Sequence, residues 1–217
     1  MNEITDLQNT YRELSFAIEQ KYLTFQEMWE LGDKEIFPEL VFCLCTPQSK
    51  AQSGWKATQE IFRNGLIAHP SEEKIADILS LAGVRFKTKK AKYIVEAIRR
   101  FGRLDFNFKE FIANLMTKSD IIGARNWFAD NVKGIGMKEA SHFLRNIGFG
   151  GHVCILDRHV LRSLESFGII RMPKAMKRQD YLDIELEMKK FAKEIKIPVF
   201  ALDFVFWADT HAGELFK

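Results

Sequence analysis

Two glycines separated by one residue join two amphipathic helical segments in the second half of the chain. Gly134 and Gly136 lie in the run Val-Lys-Gly-Ile-Gly. Before this run, Ser119 can cap a helix with one apolar face, and after it apolar residues recur at helical spacing as far as Gly148. Glycine reaches φ > 0 without steric cost and lets another backbone approach closely. The sequence therefore predicts two helices joined by a very tight turn, over about 119–148.

Two helices joined in this way resemble the helix-hairpin-helix, an element that binds DNA phosphates. A glycine hairpin at the N-terminus of a helix can offer backbone N–H groups to a phosphate, and the helix dipole favours the anion. Gly134 and Gly136 would supply these groups, with Lys133 as the adjacent cation. Taken alone, the stretch also fits a helical hairpin whose glycines serve only packing.

Nearly every other segment of the 217-residue chain also has helical periodicity. Leu7, Tyr11, Leu14 and Ile18 form one apolar stripe, and a short helix is expected over Phe25–Leu31. Alternation typical of strands is almost absent, so the predicted fold class is all-α. The length allows one domain or two small lobes with a sizeable core.

Polar residues mark where several of these helices are expected to begin. Asp33 is predicted to cap the helix that contains Pro38. Ser71, which is followed by acidic residues, is predicted to cap the helix that begins after it. Ser49 is predicted to cap a helix after a Thr-Pro-Gln-Ser turn. A polar turn of this kind between buried helices is usually only a turn.

The strongest basic cluster lies at 85–93, where five cations are interleaved with two aromatic residues. A solvated helix start and a phosphate-facing patch explain such a cluster equally well. The formal net charge of +3 permits binding to nucleic acid without demonstrating it.

Other patterns argue against membrane and metal proteins. No apolar run approaches the roughly 20 residues that span a bilayer, and the acidic, polar N-terminus is not a signal peptide. The chain is therefore expected in the cytoplasm. Cys43, Cys45 and Cys154 are too few for the usual four-thiolate iron–sulfur site. The five histidines lack metal-ligand spacing and are expected at the surface or in packing.

Lys138 and Asp157 are each predicted at the beginning of a helix. The N-terminus of a helix is an unfavourable place for a cation, which favours the neutral amine that nucleophilic, Schiff-base chemistry requires. A nearby carboxylate could accept a proton from the amine and offset positive charge on a sugar. The alternative is a solvated lysine and a capping aspartate.

The hairpin, together with Lys138 and Asp157, resembles a known protein superfamily. The run Val-Lys-Gly-Ile-Gly-Met-Lys-Glu-Ala at 132–140, followed by Ile-Leu-Asp at 155–157, resembles the helix-hairpin-helix–Gly/Pro-rich–Asp superfamily of DNA base-excision glycosylases. A lysine at the Lys138 position marks its bifunctional members, which cleave the glycosidic bond and then act as a lyase on the abasic site. The resemblance implies that Lys138 is the nucleophile and Asp157 the catalytic carboxylate.

Within the superfamily, the segment from Lys138 to Gly148 with Ile-Leu-Asp-Arg-His at 155–159 is similar to the compact archaeal-type second family of 8-oxoguanine DNA glycosylases. The endonuclease III and adenine-glycosylase branches typically carry four cysteines near the C-terminus, whereas this chain has none after Cys154. The larger eukaryotic-type enzymes add an N-terminal strand domain, for which helices beginning near Thr5 leave no room.

The resemblance implies one unit over residues 1–217, with two helical lobes and the active-site cleft between them. Residues of about 60–140 would form the inserted lobe. It also implies a nucleoid-associated enzyme of a prokaryote, which removes 8-oxoguanine from double-stranded DNA and nicks the strand by β-elimination. The sequence leaves the oligomeric state open, and a monomer is the default expectation. No cofactor or iron–sulfur cluster would be required, although a monovalent cation could bridge the hairpin carbonyls to DNA.

The same resemblance assigns residues to lesion recognition. Lys217, at the end of the chain, would help to read the oxidised base, Trp207 would stack on it, and Asp209 would be a hydrogen-bond partner. Gln48 would lie on a loop that reaches the duplex and fills the gap left by the flipped nucleotide. Core packing is the alternative for Trp207. The functional alternatives are another oxidised or mismatched base as the substrate, or a non-catalytic DNA-binding module.

Overall fold

A computed structural model describes residues 3–103 and 107–210, apart from the side chains of Asp209 and Thr210. These ranges contain ten α-helices, one π-helical turn and no strand, which confirms the predicted all-α class. The helices are α1 (Ile4–Leu31), α2 (Asp33–Cys45), α3 (Ala51–Arg63), α4 (Glu72–Leu81), α5 (Lys87–Phe101), α6 (Phe108–Asn131), α7 (Met137–Leu144), α8 (Arg158–Ser166), α9 (Arg178–Glu194) and α10 (Val199–Thr210), and the π-turn is Arg145–Phe149. None of the helices within these ranges is long and apolar enough to cross a membrane.

Helix α1 is longer than the sequence predicted. The expected break before Phe25 does not occur, and one helix of 28 residues runs to Leu31. Phe25 is buried together with Leu7 and Ile18, because spacings of seven and eleven residues keep all three on one face. The helix ends at Gly32, whose φ of +91° is readily accessible to glycine.

The structure revises the predicted use of Asp33. This residue is the first of α2, but its carboxylate accepts hydrogen bonds from the backbone N–H groups of Phe108 (2.7 Å) and Lys109 (2.6 Å). It therefore helps Asn107, the N-cap residue, to cap α6 and does not cap its own helix. Ser71, by contrast, caps α4 as predicted, since its hydroxyl accepts from Lys74 N at 3.3 Å.

The hairpin's first helix begins within α6, at a kink. Asp120 has φ +61° and ψ −174°, and its carboxylate accepts a hydrogen bond from Gly123 N at 2.8 Å. Ser119, the predicted cap, instead donates its hydroxyl to Leu115 O at 2.9 Å. The cap thus lies one residue later than predicted, because Asp120 leaves the helical conformation and Ser119 does not.

At its other end, the second helix of the hairpin passes into the π-turn and loses helical geometry at Ile147 and Gly148, so the stop predicted at Gly148 is confirmed to within one residue. Gly148 has φ +101° inside this turn. A Cβ atom there would lie 3.0 Å from Gln26 Cα and 3.1 Å from Phe25 O on α1. The glycine therefore permits close packing of the π-turn against α1.

Buried apolar side chains form two clusters. The first extends from Ile36 in α2 to Val153, and the second combines α1 with Cys154 and helices α8 to α10. The chain passes from one cluster to the other between Val153 and Cys154. The first cluster begins at Ile36 because α2 packs with α3, α5 and α7, and the inserted lobe of about 60–140 stays a prediction.

A buried ion pair connects the hairpin to the second cluster. Arg125 Nη1 on α6 lies 2.6 Å from Glu185 Oε2 on α9, and both side chains are almost completely buried. Glu185 Oε1 also accepts a hydrogen bond from Cys154 N at 2.8 Å. Removal of either partner alone would leave an uncompensated buried charge, so loss of one of these two side chains is expected to be strongly destabilising.

Candidate active site

The hairpin turn depends on Gly134 for two reasons. Its φ is +89°, a conformation that other residues rarely adopt. A Cβ atom at this position would lie 2.5 Å from Cδ2 of Tyr93 on α5 and 3.1 Å from Leu44 Cδ2. Gly136 differs from the prediction, since its φ of −99° is open to any residue. Only the first glycine therefore requires a positive φ.

The groups predicted to face DNA phosphates lie together at this turn. Gly136 is the residue before α7, and its N–H donates to Glu139 Oε2 at 3.3 Å, so the carboxylate caps the helix. Lys133 is exposed, with its Nζ 3.1 Å from Glu96 Oε1 on α5. A phosphate at the N-terminus of α7 would therefore have to replace the Glu139 carboxylate as the acceptor of the Gly136 N–H.

Gly134→Ala is expected to lower the free energy of unfolding by about 2–3 kcal/mol, because it adds left-handed strain and a contact with Tyr93. Denaturant titration measures this loss. Gly136→Ala is the matched control. Its new Cβ would meet only the mobile end of Glu139, so its loss should stay below about 1 kcal/mol. Equal losses in the two variants would contradict the assignment of the turn to Gly134.

A cavity of about 580 Å³ lies where the two clusters meet. Its walls come from the loop before α3, from α7, from the segment leading into α8 and from α10. The lining residues are Thr46, Ser49, Lys50, Ala51, Gln52, Lys138, His142, Arg145, Ile155, Asp157, His159, Val160, Asp203, Phe204 and Trp207. The volume is within the usual range of small-molecule sites.

Lys138 and Asp157, the predicted pair, both line this cavity. Lys138 is in the first turn of α7, its side chain is 25% exposed, and its Nζ lies 3.8 Å from Glu139 Oε1. Asp157 caps α8 as predicted: its Oδ1 accepts from His159 N and Val160 N, both at 2.9 Å. Because one oxygen makes both capping bonds, Oδ2 can serve another purpose in the cavity.

The sequence did not identify Asp203 on α10 as a cavity residue. Its Oδ2 lies 3.1 Å from Arg145 Nη1. Arg145 Nε donates to Asn146 Oδ1 at 3.1 Å, and Asn146 Nδ2 donates to Glu39 Oε2 at 2.8 Å. This buried chain of polar groups links α2, the π-turn and α10 across the boundary between the clusters.

Burial raises the pKa of Asp203 to about 6. Arg145 opposes this increase, whereas the negative charge of Asp157 adds to it. The guanidinium carbon of Arg145 lies 4.9 Å from the ring centroids of both Phe25 and Phe204, and proximity to two aromatic rings favours a cation. Arg145 therefore lines the cavity as a buried cation, and Asp203 is the carboxylate that it orients.

Two histidines also line the cavity, where the sequence predicted only surface or packing roles. His142 is buried one turn after Lys138 and packs edge-on against Phe42 at 5.5 Å. Its spacing of four residues from Lys138 was the signal that could have placed it there. His159 follows Asp157 by two residues. Within the described residues no group of three or more His, Cys, Asp or Glu could hold a metal ion.

Of the other residues predicted for the site, only some line the cavity. Trp207 is half-buried and lines the cavity. Gln48 is exposed at the tip of the 46–50 loop, and its neighbours in that loop, rather than Gln48 itself, line the cavity. The side chain of Asp209 and the whole of Lys217 lie outside the described residues.

Similarity to known proteins covers the whole of this arrangement. The sequence profile of the helix-hairpin-helix 8-oxoguanine DNA glycosylase family matches residues 18–197. An 8-oxoguanine DNA glycosylase/AP lyase of Fusobacterium nucleatum is 37% identical over 215 residues, which cover 98% of this chain and 96% of the relative. One of Methanocaldococcus jannaschii is 36% identical over 208 residues, covering 95% and 94%.

A solved structure agrees with this. The crystal structure of the Methanocaldococcus jannaschii 8-oxoguanine glycosylase/lyase, in complex with a 15mer DNA containing 8-oxoguanine, superposes with a TM-score of 0.86. It is 32% identical, and the match covers 99% of each chain. The family profile and these relatives together establish that the chain belongs to the 8-oxoguanine DNA glycosylase family.

Proposed function

We propose that this protein is a bifunctional base-excision enzyme, which releases 8-oxoguanine from duplex DNA and then cleaves the strand at the abasic site. One observation carries the proposal: the Lys138 amine and the Asp157 carboxylate line the same cavity, beside a glycine hairpin suited to a phosphate. The relatives named 8-oxoguanine DNA glycosylase/AP lyase support the same substrate and the same two activities.

Chemistry at this pair proceeds by substitution and elimination. The lesion nucleotide leaves the base stack and enters the cavity. Lys138 Nζ attacks C1′ of the deoxyribose, the C1′–N9 bond breaks, and the base departs with a proton. Asp157 stabilises the positive charge that develops on the sugar and assists proton transfer from the amine. The amine adduct opens to a Schiff base, and loss of a C2′ proton expels the 3′ phosphate.

The cavity also offers contacts for a purine. Trp207 provides a flat face for stacking. Asp203 precedes it by one helical turn on the same face of α10 and can accept N–H bonds from the Watson–Crick edge of a guanine-type base. We therefore propose Asp203 as a hydrogen-bond partner of the base, and Asp209, whose side chain lies outside the described residues, stays a prediction. Lys217 remains the predicted reader of the oxidised edge.

DNA outside the cavity is held by the hairpin and by the loop before α3. The N–H groups at Gly134 and Gly136 face a phosphate, with Lys133 beside them, and Gln48 fills the space left by the flipped nucleotide. A monovalent cation fits this arrangement. The carbonyl of Val132 accepts one bond, from Ile135 N at 3.1 Å, and has a second lone pair for a cation.

Single-turnover base release on a set of lesion duplexes tests the proposed substrate. Duplexes with 8-oxoguanine opposite cytosine are expected to react at least about a hundredfold faster than undamaged duplexes or duplexes with an oxidised pyrimidine. A faster reaction with the oxidised pyrimidine would show that the enzyme acts on that lesion by the same mechanism and that 8-oxoguanine is not its preferred substrate. Binding to every duplex without base release from any of them would favour the non-catalytic module.

A further inference from the structure

One of the five cations in the basic cluster differs from the other four. Arg85, Lys87, Lys89 and Lys92 are exposed, whereas the side chain of Lys90, in the first turn of α5, is buried. The residue as a whole is only 5% exposed. The function proposed above uses none of these five residues. Lys90 therefore needs an explanation of its own.

All three N–H donors of Lys90 can be satisfied by a single loop. Its Nζ donates to Cys45 O at 2.7 Å, to Pro47 O at 2.7 Å and to Ser49 Oγ at 3.1 Å. An ammonium group has three donors, so this loop occupies its full capacity. The Ser49 hydroxyl also accepts from Arg85 N at 2.9 Å, which explains why Ser49 does not cap α3 as predicted.

Holding a cation in this place is energetically costly. Burial lowers the pKa of Lys90 to about 8. Its three acceptors are two carbonyls and a hydroxyl, so no carboxylate of the described residues pairs with it directly to offset the loss of hydration. The charge is nevertheless placed where it strengthens hydrogen bonds to the end of α2 and to the following turn.

The loop that Lys90 holds has two connections to the proposed reaction. Thr46, Ser49 and Lys50 form part of the cavity wall. Between them, Gln48 is exposed and has φ +54°, a left-handed conformation that is unfavourable for a residue with a side chain. A loop with such a residue at its tip needs fixed ends, and Lys90 bonds to residues on both sides of the tip.

We propose that Lys90 is a positioning residue, which fixes the 46–50 loop so that Gln48 is presented to the duplex and the lesion nucleotide is retained in the cavity. The proposal rests on the function proposed above, in which Gln48 fills the vacated space. Lys90 acts through the loop and does not touch the reacting atoms. A simple helix-capping role is the alternative, and it predicts a loss of stability alone.

Lys90→Met tests this, because methionine keeps much of the aliphatic volume and removes the donors. The probe is a duplex that contains a tetrahydrofuran abasic analogue with 2-aminopurine opposite it. Its fluorescence reports disruption of the stack without any base excision. At saturating enzyme, the fluorescence increase is expected to be several-fold smaller for Lys90→Met than for wild type. Arg99→Met, which removes an exposed cation near the other end of α5, should match wild type.

A double-mutant cycle with Gln48→Ala separates positioning from capping. If Lys90 acts through Gln48, Lys90→Met should add little to the loss already caused by Gln48→Ala. Two independent losses that add up would overturn the proposal, as would a normal fluorescence response of Lys90→Met. If Lys90→Met does not fold, Ser49→Ala is the second variant, because it removes one of the three acceptors of Lys90. Its fluorescence response is expected to be smaller than that of the wild type. An unchanged response of Ser49→Ala would contradict the proposal.

The result for Lys90 can be distinguished from the result for the proposed function. If the wild-type protein released no 8-oxoguanine, the proposed substrate would be rejected. The duplex with the abasic analogue would still show whether the 46–50 loop disrupts the base stack. Conversely, normal 8-oxoguanine release with an unchanged response in Lys90→Met would reject only the role of Lys90.

Discussion

Replacing Lys138 with glutamine is expected to abolish both base release and strand cleavage, with rates lower by on the order of a thousandfold or more. Glutamine has similar length and keeps a polar group at the cavity wall, but its amide cannot attack C1′ or form a Schiff base. Helix α7 should remain intact, because its cap is provided by Glu139 and not by Lys138. Gel-based single-turnover assays measure both steps, and a binding titration checks that DNA affinity persists.

Lys138→Arg provides the matched variant, since it preserves the positive charge and removes the nucleophile. Lys138→Arg is expected to be as inactive as the glutamine variant. If Lys138 were only a phosphate contact in a binding module, arginine would be tolerated. Full base release by either variant would remove Lys138 from the first chemical step.

Asp157→Asn is expected to slow base release by about 10²–10³-fold, because the carboxylate that stabilises charge on the sugar is lost. The fold should be preserved. Asparagine is as good a helix cap as aspartate, and its side-chain oxygen can still accept from His159 N and Val160 N. Single-turnover kinetics and thermal unfolding of the same preparation measure the two effects.

Asp157→Ala separates the chemical role from the capping role. It removes the carboxylate and the cap together, so it should be as slow as Asp157→Asn and also less stable by about 1 kcal/mol. If Asp157→Asn turned over at nearly the wild-type rate while Asp157→Ala was only unstable, Asp157 would be a helix cap and nothing more.

The features that sequence could predict are those specified by neighbouring residues. Apolar spacing indicates the helices, and the Gly-x-Gly run indicates the hairpin, because both patterns act within a few turns. Lys138 and Asp157 were found because each opens a helix within a recognisable local motif. Both residues line one cavity because the two clusters pack against each other. Local patterns do not specify this packing, so only the resemblance to a known family could imply that the two residues lie together.

The features that sequence could not predict involve partners far apart in the chain. Asp33 helps to cap a helix that starts 75 residues later, and Gly134 is required partly because Tyr93 packs against it. Lys90 is the clearest example. Five similar cations occur within nine residues, and only the tertiary position of α2 determines which one is buried. Burial of a polar residue follows from its partners, which local periodicity does not specify.

Borohydride trapping tests whether Lys138 forms a Schiff base with the damaged strand. The wild-type protein and Lys138→Gln are incubated with a duplex that contains a single 8-oxoguanine opposite cytosine, and with the undamaged duplex. A covalent protein–DNA adduct is expected for the wild type on the damaged duplex alone, since borohydride reduces a lysine Schiff base to a stable amine. Release of the free base without any adduct would contradict it, and would indicate a monofunctional enzyme that uses water as the nucleophile.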